Sequence, residues 1–131
     1  MIGLDTNVLL RAVTRDDPVH SPLARTLIGA LDEARPGYIN IVVLVEFSWS
    51  LRTRYKYERG AIIDAVEALL QSAAFVVASR DAVNAALARS RDDGLHFADA
   101  LIGELNRVAG CHTTMTFDKP ASKRAAFTQL V

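Results

Sequence analysis

The fold is decided by the stretch Leu4-Asp5-Thr6-Asn7-Val8-Leu9-Leu10-Arg11. Before it, Met1–Leu4 is a short apolar run, which by itself is too short to assign. After Asp5-Thr6-Asn7, the segment Val8–Val13 has the apolar character of a helix. An apolar run, a polar turn and a helix in this order are typical of the first unit of an α/β fold.

The rest of the chain alternates helices and short strands in the same way. Further helices are predicted from Ser21-Pro22, with Ser21 as N-cap, to Pro36-Gly37, and over Val42–Tyr57, Ala61–Gln71, Ser79 or Asp81 to Arg91, and Leu95–Val108. Strands are predicted at Tyr38–Ile41, Phe75–Val77, Cys111–Phe117 and Phe127–Val131. The pattern predicts an α/β fold with a parallel sheet and helices on both faces.

Length and composition exclude several classes of protein. The 131 residues are enough for one domain, which we assign to residues 1–131. Half of the residues are hydrophobic, so a disordered chain is excluded. With 15 basic and 15 acidic residues the formal net charge is 0, so a strongly basic coat is absent, although a local basic patch is not.

Cysteine usage and the apolar runs predict a reduced, cytoplasmic protein. The one cysteine, Cys111, excludes an intramolecular disulfide and a zinc site built from cysteines, and we expect it to be buried in a strand. The N-terminus reaches Asp5 without a signal-like segment. The longest apolar stretch, Ile41–Trp49, is interrupted by Glu46 and is far short of the ~20 residues that span a bilayer.

Four acids stand close to predicted strand ends or in the helices that follow. Asp5 comes directly after the first apolar run, and Asp118 directly after the predicted strand Cys111–Phe117. Glu46 and Asp99 each lie about one turn into a predicted helix. Because ligands of parallel α/β sheets bind beyond the carboxyl ends of the strands, we expect all four to converge at that edge of one sheet.

Each acid also has a structural interpretation that stays open. Asp5 could be the N-cap of the first helix, and Asp118 could form an Asx-turn before Pro120. Asp99 could interact favourably with the helix dipole or pair with Arg107.

Glu46 stands apart because its neighbours are apolar on every side of the helix. From Ile41 to Phe47 it is the one charged residue, which predicts a buried helix start. Burying an unpaired carboxylate there would lower the free energy of unfolding by several kcal/mol. Glu46 therefore faces a cleft or forms a buried ion pair with an arginine.

Carboxylates without a cysteine or histidine cluster indicate hard oxygen ligands, and hence Mg²⁺ or Mn²⁺. A divalent ion among them relieves their mutual repulsion. Such an ion can activate a water and stabilise the leaving oxygen of a phosphodiester. Thr6, Asn7 and Thr116 add neutral oxygens beside the acids, or serve only as turn and cap residues.

The chain resembles the PIN-domain proteins. The resemblance rests on four pieces in the expected order, which together span nearly the whole chain: Leu4–Arg11, Val45-Glu46-Phe47, Phe97-Ala98-Asp99-Ala100-Leu101-Ile102 and Thr116-Phe117-Asp118. Within that family, the compact length and the opening Asp-Thr-Asn-Val-Leu-Leu-Arg are similar to VapC-type toxins of toxin–antitoxin pairs.

The resemblance implies a three-layer α/β/α sandwich around a central, mainly parallel sheet. It implies an endoribonuclease dependent on Mg²⁺ or Mn²⁺, the toxin of a type II toxin–antitoxin system. Asp5, Glu46, Asp99 and Asp118 would line the metal site, with Thr116 in support. The chain would form a homodimer, and a cognate antitoxin would occupy or cover the site.

One position varies within the family, and one departs from its pattern. The variable position is the fourth acid, so Asp118 is the ligand that the resemblance supports least. His96 stands where many relatives carry an acid, and Asp93 is a weak candidate to replace it.

RNA contacts are predicted in the segment with the most basic residues. Tyrosines and cations alternate there, namely Arg52, Arg54, Tyr55, Lys56, Tyr57 and Arg59. Cations of this kind hold phosphates and tyrosines stack on bases, although a solvated helix face with Glu58 nearby explains the same pattern. Trp49 and Phe47 are expected in the core or in a dimer interface rather than as surfaces for base stacking.

Three other functions compete with a nuclease. A phosphatase of the haloacid dehalogenase type needs a second acid two residues after the first, where this chain has Asn7. A receiver domain needs a phosphate-accepting Asp after its third strand, which is Phe75–Val77 when Met1–Leu4 is counted as the first, and there Asp81 more naturally begins a helix. The remaining alternative is a non-catalytic PIN-like domain that binds a partner protein or RNA.

Overall fold

The predicted alternation of strands and helices is confirmed in a computed structural model, which describes residues 1–118 and 126–130. In chain order the elements are β1 (Ile2–Gly3), α1 (Thr6–Thr14), α2 (His20–Gly29), β2 (Gly37–Ile39), α3 (Ile41–Thr53), α4 (Arg59–Gln71), β3 (Phe75–Val77), α5 (Arg80–Asp93), α6 (Phe97–Val108), β4 (Thr114–Thr116) and β5 (Phe127–Gln129). Within those residues, every helix is too short or too polar to reach across a lipid bilayer.

All strand pairings in the described residues are parallel, which confirms the α/β class. Strands β1, β2 and β3 pair in that order, with Ile2 opposite Gly37 and Gly37 opposite Phe75. Strand β4 pairs with β5, with Thr114 opposite Phe127. In the described residues β4 and β5 form a separate ladder, so the prediction that the four acids share one sheet edge is wrong for Asp118.

The hydrophobic core lies where the helices pack on one another and on the strands. Helix α1 contacts α2 and α3, while α4 contacts β3 and α5, and α5 packs against α6. The largest fully buried apolar side chains are Leu9, Leu10, Ile39, Leu44, Phe47, Leu51, Val66, Val83 and Leu101. Burial of each such side chain contributes about 1.5–3 kcal/mol to the free energy of folding. The core therefore stabilises the packing of the helices on the strands.

Helix α2 differs from its prediction at both ends. It begins at His20, because Asp17 Oδ1 accepts hydrogen bonds from the backbone N–H groups of Val19 at 2.9 Å and His20 at 2.7 Å. Ser21 therefore lies inside the first turn and is not the N-cap. The helix ends at Gly29, well before Pro36.

Helix α3 ends at Thr53 rather than at Tyr57, because the chain after it adopts a non-helical path. Lys56 has a φ of 59°, in the left-handed region, so the helix does not continue through it. On that path the Tyr55 hydroxyl donates to Asp16 Oδ2 at 2.7 Å. Arg11 and Thr14 donate to the same carboxylate at 2.9 and 2.8 Å, which ties the end of α1 to the segment after α3.

We expect Tyr55→Phe to raise the pKa of Asp16. The hydrogen bond from Tyr55, followed by that from Thr14, holds this pKa well below its ordinary value. A lowered folded-state pKa contributes stability above the unfolded pKa of about 3.9, and that contribution is lost as the pH falls through the folded pKa. The variant should therefore be less stable at pH 7, and the difference should vanish in strong acid.

A carbon-13 NMR titration of the Asp16 carboxyl measures this directly. Tyr57→Phe, two residues along the chain, is the matched control and should leave the midpoint unchanged. An unchanged midpoint in Tyr55→Phe would contradict the assigned cause.

One buried acid, Glu104 on α6, was not singled out from the sequence. It is only 2% exposed and lies between two arginines. Its Oε1 accepts from Arg89 Nε at 3.3 Å, and its Oε2 accepts from Arg107 Nε at 3.0 Å. Arg107 thus pairs with Glu104, and the predicted alternative partner, Asp99, is left for another role.

The Glu104 cluster predicts an asymmetry between variants. Arg89→Met combined with Arg107→Met leaves a buried carboxylate without a cation, which should cost about 3–5 kcal/mol of unfolding free energy. Glu104→Gln leaves the arginines in partly exposed positions and should cost only about 1 kcal/mol. Urea unfolding at neutral pH measures both, and the reverse order would contradict this account.

Candidate functional site

The first acid, Asp5, occupies the N-cap position of α1 without capping it. Its backbone is extended, with φ −84° and ψ 157°, and its side chain makes no capping hydrogen bond. Only its backbone carbonyl is used, accepting from Val8 N–H at 3.1 Å. The capping interpretation of Asp5 is therefore wrong, and its carboxylate is exposed at the end of β1.

Glu46 lies beside the same chain segment through a hydrogen bond with Thr6. Asn40 Oδ1 caps α3 by accepting from Val43 N–H at 2.9 Å, which sets Glu46 in the second turn of the helix. The buried Thr6 donates its hydroxyl to Glu46 Oε1 at 3.0 Å. The contact places Glu46 next to Thr6, the residue that follows Asp5.

The prediction that the start of α3 is buried on every side is wrong. Val43, Leu44 and Phe47 face the core, but Glu46 is exposed and Val42 is 66% exposed. The apolar run therefore gives one buried and one open face, and Glu46 stays in solvent. Its partner is a hydroxyl, not the arginine of a buried ion pair.

The other two predicted acids share a cleft of about 190 Å³. Asp99, in the first turn of α6, and Asp118, after β4, both line it together with Thr114, Thr116 and Phe127. Thr116 Oγ1 accepts from the backbone N–H of Asp118 at 3.0 Å and so fixes the turn that carries this acid. The Asx-turn predicted for Asp118 before Pro120 involves residues outside those described.

The structure thus shows two local arrangements, Glu46 bonded to Thr6 and Asp99 sharing a cleft with Asp118. Among residues 1–118 and 126–130, no three His, Cys, Asp or Glu side chains lie close enough together to hold one metal ion. Mg²⁺, however, keeps several waters and is bound through one or two carboxylates together with substrate phosphates. The chemistry of this donor set, carboxylates with neighbouring threonine hydroxyls, fits Mg²⁺ or Mn²⁺ on that basis.

His96, at the N-cap position of α6, lies between basic and acidic side chains. Burial lowers its pKa, and the charges of Arg52 and Arg59 lower it further, while Asp99 and Asp118 oppose them. Its Nδ1 is buried and has no hydrogen-bond partner in the described structure. The sequence assigned no role to this histidine, and only its departure from the family pattern singled it out.

Cations and the one tryptophan lie directly beside this histidine. Arg52, Arg59, Trp49 and His96 line a narrow crevice at the junction of α3, α4 and α6. The crevice is therefore lined by two positive charges, which suits a polyanion. Phe47 is fully buried as predicted. Trp49 is 55% exposed and so lies outside the core, while the predicted alternative, a place in a dimer interface, stays a prediction. Cys111, predicted to be buried, is also exposed.

Comparison with protein-family models gives a match to the PIN domain over residues 2–126. The chain belongs to the PIN domain family. PIN domains are typically nucleases, and the nucleases of this family generally use divalent metals. Comparison with curated proteins gives no match.

In this PIN domain, Thr116 should position Asp118 through its side-chain oxygen. Thr116→Val removes the acceptor of the Asp118 N–H, so that amide should exchange with solvent several-fold faster. Thr116→Ser keeps the acceptor and should retain the protection. Hydrogen exchange followed by NMR measures both variants, and equal rates in Val and Ser would contradict this role.

Proposed function

We propose that this PIN domain is an endoribonuclease dependent on Mg²⁺ or Mn²⁺ and acts as a VapC-type toxin of a type II toxin–antitoxin pair. The observation that carries the proposal is that Asp99 and Asp118 open into one cleft together with Thr114 and Thr116. The exposed carboxylates of Asp5 and Glu46, which make no ion pair in the described structure, support it.

The residues divide into ligands and the groups that hold them. Asp5, Glu46, Asp99 and Asp118 would hold the ion. Thr6 orients the Glu46 carboxylate, and Thr116 fixes the chain at Asp118. The bound ion would supply positive charge against the scissile phosphate and lower the pKa of water.

Removal of single ligands should abolish cleavage without unfolding the protein. Asp5→Asn and Asp99→Asn should each lower the rate about 100-fold or more, because the charge is lost while the shape is kept. Asp118→Asn should have the smaller effect, since the fourth acid is the variable one. Asp64→Asn, an exposed acid on α4, is the matched control.

Cleavage of a mixed RNA pool by the purified chain, with Mg²⁺ or Mn²⁺ against EDTA, measures these effects. Circular dichroism shows whether each variant folds. Cleavage that persists in EDTA, or in folded Asp5→Asn, would contradict the proposal.

Thr6 should act as a positioning residue for Glu46. Thr6→Val removes the donor with little change in volume, so we expect a higher Mg²⁺ concentration at half-maximal cleavage and a rate lowered about tenfold. Thr6→Ser keeps the hydroxyl and should restore both. If Ser behaved as Val does, the hydrogen bond would not be the cause.

A cognate antitoxin is proposed as the protein partner. A groove of about 400 Å³ between α1 and α2 is lined by Asn7, Val8, Arg11, His20, Leu23, Ala24 and Leu27. Leu23 is 64% exposed there, and an apolar segment of an antitoxin would cover it.

Cytoplasmic action fits a chain whose cysteine makes no disulfide in the described structure.

A homodimer is proposed as well. Ile102 and Met115 are exposed apolar residues that also line the cleft of Asp99 and Asp118, and Phe117 is exposed beside them. A partner copy would cover this patch. Light scattering of the purified chain measures the mass, and a monomer at high concentration would contradict the dimer.

The second candidate is a non-catalytic PIN-like domain that binds a partner protein or RNA. The absence of a three-acid cluster in residues 1–118 and 126–130 and the apolar groove on α1 and α2 favour it. It predicts neither cleavage nor measurable Mn²⁺ binding, so the assay above separates the two candidates.

A further inference from the structure

Trp49 belongs to a stripe of exposed residues along α3. Val42, Glu46, Trp49 and Thr53 follow one another at intervals of three or four residues, and all four are exposed. Such spacing places them on one face of the helix. Trp49 therefore lies one turn from Glu46, at the edge of the proposed site.

The indole ring is flanked by positive charge. The Arg52 guanidinium lies 5.8 Å from the centroid of the Trp49 ring, in the range of a cation–π contact. Arg59 lines the crevice on the same side and donates to the carbonyl of Ser90, which fixes its side chain. An exposed flat ring next to one guanidinium group, with a second in the same crevice, suits the base and the phosphate of a nucleotide.

We propose that Trp49 stacks on an unpaired base of single-stranded RNA, with Arg52 contacting the adjacent phosphate. The inference rests on the proposed function and adds to it a subsite that selects unpaired RNA. Aromatic side chains bind single strands in this way because every base offers a flat face, whereas the bases of a duplex are already stacked.

The local charge favours RNA over a second copy of the chain on this face. Residues 46–59 contain four cations, Arg52, Arg54, Lys56 and Arg59, against two acids, Glu46 and Glu58. Two copies meeting through this surface would bring like charges together, whereas a polyanion is attracted. The proposed dimer should therefore leave Trp49 accessible.

Trp49 is the single tryptophan of the chain, so its fluorescence reports on this subsite alone. The full-length chain is titrated in EDTA, where the proposed nuclease is inactive, with a single-stranded RNA oligonucleotide and with the blunt duplex of the same sequence. We expect saturable quenching by the single strand and little by the duplex. Three results would overturn the proposal: no RNA binding, binding without a change in emission, or a concentration-dependent blue shift of the protein alone, which would show a second copy over the ring.

Variants test the contribution of each group through the anisotropy of labelled RNA. Trp49→Ala should weaken single-strand binding about tenfold or more, and Trp49→Phe, which keeps a flat ring, should fall between it and the wild type. Arg52→Gln should weaken binding and lower its salt dependence. Val108→Ala, an exposed apolar residue on α6, is the matched control. Equal affinities for Trp49→Ala and Val108→Ala would overturn the proposal.

The binding measurements and the cleavage assay test the two proposals independently. Binding is measured without metal, so quenching by the single strand stands even if no RNA is cleaved with Mg²⁺ or Mn²⁺. Conversely, metal-dependent cleavage without quenching would remove the stacking subsite and leave the nuclease intact.

Discussion

The hydrogen bond from the Thr6 hydroxyl to the Glu46 carboxylate is the contact on which the geometry of the candidate site depends. Thr6 begins α1 just beyond β1, and Glu46 lies in α3 just beyond β2. Because β1 and β2 pair in parallel, their two helices start at the same edge of the sheet, and this bond fixes the spacing between them. It also holds an acid at the surface of a helix whose other face is packed into the core.

Local patterns predicted most elements of the fold. Strand β3 has its predicted bounds, and α4 and α6 begin within two residues of theirs, because apolar spacing and glycine breaks are properties of adjacent residues. The end of α3 was wrong for a different reason. Helix α3 stops where Tyr55 turns towards Asp16, 39 residues away in the sequence, and no local pattern contains that contact.

The candidate site could be predicted only in part. The positions of the acids after predicted strands, or in the helices that follow, indicated the sheet edge where they would lie, and Asp99 and Asp118 do share a cleft. The sequence did not separate an acid that pairs with arginines, Glu104, from one that faces the cleft, Asp99, because both lie on the same helix and pairing depends on which face each occupies. The exposure of Trp49 and Glu46 could not be predicted either, because an apolar run does not indicate which face of its helix packs against the core.

The central claim is that the four acids serve one metal-dependent site in this PIN domain. A crystal of the protein soaked in Mn²⁺ tests it most directly, since anomalous scattering locates the ion independently of any activity. We expect an anomalous peak within bonding distance of Asp99 or Asp118. The peak should lie on the side of these residues that is nearest to Asp5 and Glu46. No peak at saturating Mn²⁺, or a peak away from all four carboxylates, would contradict it.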